Sequence, residues 1–185
     1  MRTDGGGGPG DHADRRARFE RIYAGSYEPI LGYALRRTPA PEDAADVVAE
    51  TFLTAWRRLD ELPDPPEARL WLYATARRVL ANQRRGQQRY LRLAARLGAM
   101  HSGAPAGASA EDHDTSVVVA AFGRLKAEDR EVLGLLAWEG LEPGEIAQVL
   151  GCSAGTVRVR LHRARHRFAR QLAAEGVPVE GLARS

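Results

Sequence analysis

The chain has 185 residues, a formal net charge of +3 and 44% hydrophobic residues. This length allows one or two small domains and excludes a large multidomain enzyme. A single cysteine, Cys152, excludes an internal disulfide framework and a zinc site built from several cysteines. No run of eighteen uncharged apolar residues occurs, and the N-terminal segment is not apolar. We therefore expect a cytoplasmic protein without membrane insertion.

Positive charge is concentrated in two segments that contain no acid. Of the 27 basic residues, all are arginine except Lys126. Eight arginines lie between Glu67 and Glu111, and six lie between Glu145 and Glu175, with no intervening Asp or Glu. Because the planar guanidinium matches phosphate and guanine edges, the two blocks predict two separate nucleic-acid contacts. The alternative is a pair of solvated helix faces, and the preference for arginine can also reflect GC-rich coding.

The N-terminal half predicts a tail and three helices. Residues 1–13 include GGGGPG, lack apolar anchors and are expected to form a disordered tail. A helical apolar pattern ends near Pro39, and Pro41 suits the first turn of the next helix. Three prolines in the segment 62–67 then break that second helix, and a third begins near Ala68, which gives a first domain of residues 14–95. The apolar stripe of the second helix consists of Ala44, Val48, Phe52, Ala55 and Leu59.

The C-terminal half predicts a linker and a second domain. Residues 96–115 are poor in large apolar side chains and predict a flexible linker, followed by a domain of residues 116–175 and a tail of residues 176–185. Within that domain a helix from Pro143 is expected to end at Gly151, which can adopt a left-handed backbone. Ser153 can then cap the helix that follows.

The last helix combines an apolar stripe with a basic outward face. The stripe recurs every three or four residues at Val157, Leu161, Ala164, Phe168 and Leu172. The positions between them are expected to face outward, as on a helix in a major groove, and they are Gly155, Thr156, Arg158, Val159, Arg160, His162, Arg163, Arg165, His166 and Arg167. The pattern predicts a DNA-binding helix-turn-helix. The alternative is an all-α bundle whose last helix is basic for solubility or for an acidic protein partner.

Two segments together resemble the extracytoplasmic-function (ECF) sigma factors of bacterial RNA polymerase. The first contains DAADVVAETFLTAWRRL (43–59) and ARLWLYATARRVLANQRRGQQR (68–89), and the second is LKAEDREVLGLLAWEGLEPGEIAQVLGCSAGTVRVRLHRAR (125–165). Lys126 and Glu142 depart from the family's common proline and Ser or Thr at helix starts. The resemblance implies an all-α protein of two small helical domains joined by a flexible linker, the C-terminal one containing a helix-turn-helix. It also implies promoter recognition and melting in transcription initiation.

The resemblance implies that the first domain binds core RNA polymerase and the −10 promoter element. In the family the acidic second helix docks on the clamp of the largest polymerase subunit, and its polar positions here are Asp43, Asp46, Glu50, Thr51, Thr54, Arg57 and Arg58. The loop of residues 60–69 would hold a base flipped out of the melted strand. The residues expected to bind that strand are Arg69, Trp71, Arg77, Arg78, Asn82, Arg84 and Arg85. Trp71 and Tyr73 could stack on bases, although aromatics at a helix start are more often core residues.

The second domain would read the −35 element as intact duplex. Its expected contacts are Ser153, Gly155, Thr156, Arg158, Arg160, His162 and Arg163, of which the first three lie at the helix N-terminus. The sequence leaves open which arginines read bases and which bind phosphates. Many family members are held inactive by an anti-sigma factor, which makes such a protein a further expected partner.

Other functional classes fit the sequence less well. His162 and His166 could share a metal ion with Cys152, but the surrounding arginines repel a cation, so we expect no metal, no cofactor and no catalytic residue. A stand-alone helix-turn-helix regulator is the main alternative, and it would need a sensor or dimerisation unit in the first domain. The acidic segment followed by an arginine block there favours a sigma factor. A helical RNA-binding protein is less favoured because the aromatic-rich sheet motifs of common RNA modules are missing.

Overall fold

The computed structural model describes residues 9–96 and 113–177 of the chain. Within these ranges it is all α-helical, with seven α-helices, one short 3₁₀ helix and no β-strand. The chain divides into two compact units between residues 103 and 104. The elements of the first unit are α1 (Pro9–Leu35), α2 (Pro41–Arg57), the 3₁₀ helix (Leu59–Glu61) and α3 (Glu67–Arg96). Those of the second are α4 (His113–Gly123), α5 (Ala127–Ala137), α6 (Pro143–Leu150) and α7 (Ala154–Ala174).

The expected tails and linker lie largely outside the described residues. Helix α1 begins at Pro9, so residues 9–13 of the expected N-terminal tail are helical instead. Residues 97–112 of the expected linker are not described, and residues 113–115 belong to α4. Among the helices that the structure describes, none combines the length and apolarity needed to cross a membrane.

The first unit is built from α1, α2 and α3, each packed against the other two. Pro41 lies in the first turn of α2, followed by Glu42 and Asp43 at the positive end of the helix dipole. The predicted apolar stripe of α2 is confirmed, since all five of its residues are buried. Removing the larger side chains of this stripe, Val48, Phe52 and Leu59, from water stabilises the unit by about 1.5–3 kcal/mol each.

Tyr73 belongs to this core. Its side chain is 1% exposed, and its ring lies 5.3 Å from the ring of the fully buried Tyr33. The favoured interpretation of Tyr73 as a core residue is therefore confirmed and base stacking by it is excluded, because the start of α3 turns this position towards α1. Trp71, two residues earlier, remains partly exposed.

The second unit places α7 against α4, α5 and α6. Helix α6 ends at Gly151 with φ 66° and ψ 42°, a left-handed conformation that glycine adopts without strain. The backbone then turns into α7, where the Ser153 hydroxyl accepts a hydrogen bond from the Thr156 amide at 3.1 Å. Glu142 lies at a position where Ser or Thr is common in the family that the sequence resembles. It nevertheless forms a capping box with Glu145. The predicted turn and both helix starts are thus explained by local hydrogen bonds.

The apolar stripe of α7 is buried at four of its five predicted positions. Val157, Leu161, Ala164 and Leu172 are buried. Phe168 is only partly buried, and its ring meets Phe122 of α4 edge-on at 6.0 Å. Ala169 is buried beside it.

Candidate nucleic-acid and protein interfaces

The outward side of α7 is basic, as predicted, in the N-terminal half of the helix. Arg158, Arg160, His162 and Arg163 are exposed. Ser153 and Gly155 are exposed and Thr156 is partly exposed at the helix N-terminus, where the first turn contains no acid. All seven predicted contact residues therefore lie at an accessible or partly accessible surface. A helix N-terminus and a row of guanidinium groups together attract phosphate.

Arg167 does not belong to this outward face. Its Nη1 donates hydrogen bonds to both carboxylate oxygens of Asp129 at 2.8 Å. The Asp129 side chain is only 8% exposed, so it needs a cationic partner inside the fold. The expectation that Arg167 faces outward is wrong, because this ion pair directs it towards α5. Arg165 is likewise half-buried, which leaves Arg158, Arg160, Arg163 and Arg170 as the exposed arginines of this block.

The arginines of α3 lie along two lines of the helix. At 100° per residue, Arg78, Asn82 and Arg85 fall on one line, and Arg77 and Arg84 fall on another roughly 100° away. All five residues are exposed. Of the other residues predicted for this site, Arg69 and Trp71 are partly buried.

The two lines have different surroundings. On the first, Arg85 donates to the side-chain oxygen of Asn82, which leaves the Asn82 amide nitrogen as a donor for another acceptor. On the second, Arg84 donates to the backbone carbonyl of Arg37 at 3.2 Å. The guanidinium of Arg37 in turn lies 3.6 Å from the centroid of the Tyr33 ring. Arg84 therefore also fastens α3 to the C-terminal end of α1.

A groove of about 700 Å³ lies at the surface where α2 packs against α3. Arg78 lies along its own helix there, donating to the Ala74 carbonyl at 3.2 Å and to the Thr75 hydroxyl at 3.3 Å. The groove brings residues predicted for the polymerase contact together with residues predicted for the −10 strand. Its lining includes Asp46, Glu50 and Thr54 from α2 and Arg78 and Asn82 from α3.

The polar positions predicted for polymerase binding are exposed on α2, with one exception. Asp43, Asp46, Glu50 and Arg57 are exposed and Thr54 is partly exposed. Thr51 is fully buried and donates its hydroxyl to the Val47 carbonyl at 2.7 Å. Its inclusion in this surface is wrong, because a threonine hydroxyl can bond to the backbone four residues earlier and so enter the core.

Two apolar side chains on α2 were missed by the sequence reasoning. Leu53 is 42% exposed and lines the groove, and Trp56 is 41% exposed. The Trp56 ring meets that of Phe19 edge-on at 5.2 Å. Both lie outside the predicted buried stripe, but so does the fully buried Val47, so position relative to the stripe gave only a partial signal.

The loop after α2 is acidic and paired with arginines. Glu61 accepts hydrogen bonds from Arg58, and these hold the pKa of the Glu61 carboxyl below its usual value. The Arg58 guanidinium also lies 5.9 Å from the centroid of the Trp71 ring, within the range of a cation–π contact. Trp71, which is predicted to contact the melted DNA strand, thus lies beside the loop.

Comparison with known proteins identifies the family. The family model Sigma-70 region 2 matches residues 22–90, and the model Sigma-70, region 4 matches residues 116–168. The ECF RNA polymerase sigma factor SigL of Mycobacterium tuberculosis is 31% identical over 160 residues, which cover 84% of this chain and 89% of that protein. The chain belongs to the ECF sigma factors. RNA polymerase sigma factor CnrH of Cupriavidus metallidurans is 35% identical over 161 residues, covering 78% of this chain and 82% of CnrH.

Solved structures share the sigma-factor fold. CnrH in complex with the cytosolic domain of CnrY is matched with a TM-score of 0.59 and 30% identity, covering 85% of this chain and 88% of that one. The sigma factor RpoE of Bartonella quintana, in complex with the anti-sigma factor NepR, is matched with a TM-score of 0.66 over 85% of this chain and 98% of that one. At 24% identity the second match shows the fold alone.

These matches confirm the all-α fold and the family predicted from the sequence. This sigma factor serves transcription initiation, with core RNA polymerase and promoter DNA as its partners. The stand-alone regulator is not favoured, because the chain contains a region 2 domain, which such a regulator does not need.

Proposed function

We propose that this sigma factor reads its promoters with two separate surfaces. Residues 14–95 would bind core polymerase and the melted −10 element, and residues 116–175 would bind the −35 duplex. Residues 96–115 would form the linker, with tails at 1–13 and 176–185. The exposed basic side of α7, following a capped N-terminus, is the observation that carries the proposal.

The −35 surface consists of Ser153, Gly155, Thr156, Arg158, Arg160, His162 and Arg163. The three arginines supply forked donors that can pair with guanine O6 and N7 or with phosphate oxygens. The N-terminal amides of α7 would bind a backbone phosphate, since this end of a helix attracts anions. The inward pairing of Arg167 supports this assignment, because three of the four exposed arginines of this block then lie in the N-terminal half of the helix.

The −10 surface consists of the loop of residues 60–69 with Arg69, Trp71, Arg77, Arg78, Asn82, Arg84 and Arg85. A flipped base needs hydrogen-bond partners, and its strand needs cations. The exposed Asn82 amide and the arginines around it meet both requirements. The half-buried Trp71 would offer one ring face for stacking.

The polymerase surface consists of Asp43, Asp46, Glu50, Thr54 and Arg57. Their exposure on one helix, beside the exposed Leu53 and Trp56, supports a protein contact in which a polar rim surrounds apolar anchors. The sigma factor would act in the cytoplasm as a recognition subunit and contribute no catalytic residue and no cofactor of its own.

An anti-sigma factor is a further proposed partner. The relative CnrH has been solved in complex with the cytosolic domain of CnrY, at 30% identity to this chain. Affinity purification of the sigma factor from its own cells should recover a second protein that blocks its transcription in vitro. Recovery of free, constitutively active protein would count against this partner.

Transcription in vitro tests the proposed function. Core polymerase is supplied with fragmented genomic DNA, with or without the sigma factor, and the RNA starts are sequenced. The expected result is a small set of new starts that share motifs near −10 and −35. Starts that do not depend on the added protein, or stable duplex binding without co-elution with core polymerase, would instead support the regulator.

A further inference from the structure

The loop between α2 and α3 has few means of fixing its own conformation. Three of the five residues from Leu62 to Pro66 are proline, and these have no amide hydrogen to donate. Only Leu59 and Leu62 are buried, whereas residues 63–67 are all exposed. The Leu62 amide donates to the Leu59 carbonyl at 3.2 Å, but the prolines that follow cannot continue this pattern, so a donor from another helix would add to the few bonds that hold the loop in one shape.

Arg18 of α1 is that donor. Its Nη1 donates to the Leu59 carbonyl at 2.9 Å, and its Nη2 donates to the Leu62 carbonyl at 2.5 Å. The same Nη2 lies 3.2 Å from a carboxylate oxygen of Asp64. One guanidinium thus holds three points of a loop that lies more than forty residues away in the chain.

Arginines also offset the negative charge of this loop. Residues 60–67 contain four acids and no base. Arg15 pairs with Asp60, Arg18 with Asp64 and Arg58 with Glu61. Two of these three arginines come from α1, so α1 governs both the shape of the loop and its net charge. An unneutralised carboxylate cluster would repel a DNA strand.

We propose that Arg18 is a positioning residue for −10 base selection. By holding the carbonyls of Leu59 and Leu62, it fixes the loop in a shape that accepts one base and rejects others. Base selectivity requires a loop of fixed shape. A loop that can rearrange adapts to each base, so its affinities for the four bases differ little. This inference rests on the proposed reading of the −10 element by the loop of residues 60–69.

The test uses full-length sigma factor with core polymerase. A promoter taken from the strongest start in the genomic assay is randomised one position at a time, first in the −10 and then in the −35 element. Sequencing the transcripts gives the ratio of the best base to the worst base at each position. Arg18→Ala is compared with Arg16→Ala, which removes a 77% exposed arginine of the same helix that pairs with Glu20 rather than with the loop.

The expected result is a selective loss. Arg18→Ala should reduce the −10 ratio by roughly 3- to 10-fold, the size expected for one or two lost hydrogen bonds, and leave the −35 ratio unchanged. Arg16→Ala should change neither ratio. A lower transcript yield with both ratios intact would overturn the proposal, because a merely structural role predicts that outcome.

A second variant covers failure of the first to fold. If circular dichroism shows that Arg18→Ala is unfolded, Arg18→Lys replaces it, since a single ammonium group cannot reproduce the planar fork across two carbonyls. A lowered −10 ratio supports the proposal and an unchanged ratio overturns it. If wild-type protein has no −10 base preference at all, the proposed function of the loop fails too. If the wild-type protein has a −10 base preference and the Arg18 variant keeps it, only the positioning role of Arg18 is contradicted.

Discussion

Asp129 on α5 and Arg167 on α7 form an ion pair in which one guanidinium nitrogen contacts both carboxylate oxygens. It links the helix that carries the arginines proposed to contact DNA to a buried site of the second unit. Because Asp129 is nearly buried and Arg167 is 39% exposed, the pair lies at the edge of the core.

Breaking this pair should destabilise the second unit. Arg167→Ala leaves the Asp129 carboxylate buried without its cation, which should lower the free energy of unfolding by about 2–3 kcal/mol. Thermal denaturation followed by circular dichroism measures the change. Arg170→Ala, an exposed position on the same helix, is the matched control and should shift the melting temperature by little. Equal shifts in the two variants would show that the ion pair contributes nothing specific.

Ser153 offers a way to separate capping from DNA binding. Ser153→Ala removes the acceptor of the Thr156 amide and should cost about 1 kcal/mol of stability. Ser153→Asp keeps the cap and should retain the melting temperature, but its negative charge should weaken binding to promoter duplex. Fluorescence anisotropy with labelled duplex measures the binding. Undiminished affinity of Ser153→Asp would place Ser153 outside the DNA contact.

The exposed arginines of α7 should differ from one another in their effect on sequence preference. Alanine at Arg158, Arg160 or Arg163 should cost about 1–3 kcal/mol of promoter binding where the side chain reads guanine. Where it binds phosphate, the loss should be equal on promoter and scrambled duplex, with a salt slope shallower by roughly 0.9. Titrations at several salt concentrations separate the two cases, with Arg170→Ala as the control. If none of the three variants loses affinity, this face does not bind the −35 element.

Asn82 and Arg85 should act as one unit on the −10 strand. Because Arg85 donates to Asn82, each orients the other, and the effects of Asn82→Ala and Arg85→Ala should not add. A double-mutant cycle with single-stranded −10 oligonucleotide should give a coupling of about 0.5–1 kcal/mol. The same cycle for Asn82 and Arg77, which lie on different lines of α3, is the control. Simple additivity for Asn82 and Arg85 would mean that their hydrogen bond is not kept in the complex.

The contact between Glu61 and Arg58 should give a small, acid-sensitive contribution to stability. The Arg58 hydrogen bond lowers the pKa of Glu61 below 4.5, so its contribution is fully present above 4.5 and is lost as the pH falls through the lower folded-state value. Glu61→Gln should therefore melt earlier than wild type near neutral pH, and the two melting curves should converge under acid conditions. A difference that grows on acidification would contradict this sign.

Periodicity and local chemistry predicted much of the fold, and the structure shows where they fail. The stripe of α2, the left-handed Gly151 and the Ser153 cap depend on neighbours in the chain, so the sequence indicates them directly. The inward turn of Arg167 depends on Asp129, 38 residues away, and the packing of Tyr73 depends on Tyr33 in another helix. Contacts of this kind are set by tertiary packing and have no local signal.

The candidate surfaces follow the same division. Exposure of the predicted residues on α7 follows from helical spacing. The error at Thr51 has another cause, because spacing places it three residues after Val48 and four before Ala55, on the buried side. Its polar hydroxyl suggested exposure, but that hydroxyl bonds to the Val47 carbonyl. The hydrogen bonds from Arg18 to the loop after α2 were not predicted either. Their acceptors are backbone carbonyls, and any residue type supplies those.

The groove between α2 and α3 brings together residues that are proposed to bind two different ligands of the first unit. Its walls hold Asp46 and Glu50 on one side and Arg78 and Asn82 on the other. If core polymerase and the melted −10 strand both bind residues of this groove, the binding of one changes the affinity for the other. Thermodynamic reciprocity then requires the effect to be mutual. The factor by which bound polymerase changes the affinity for the strand equals the factor by which the bound strand changes the affinity for polymerase.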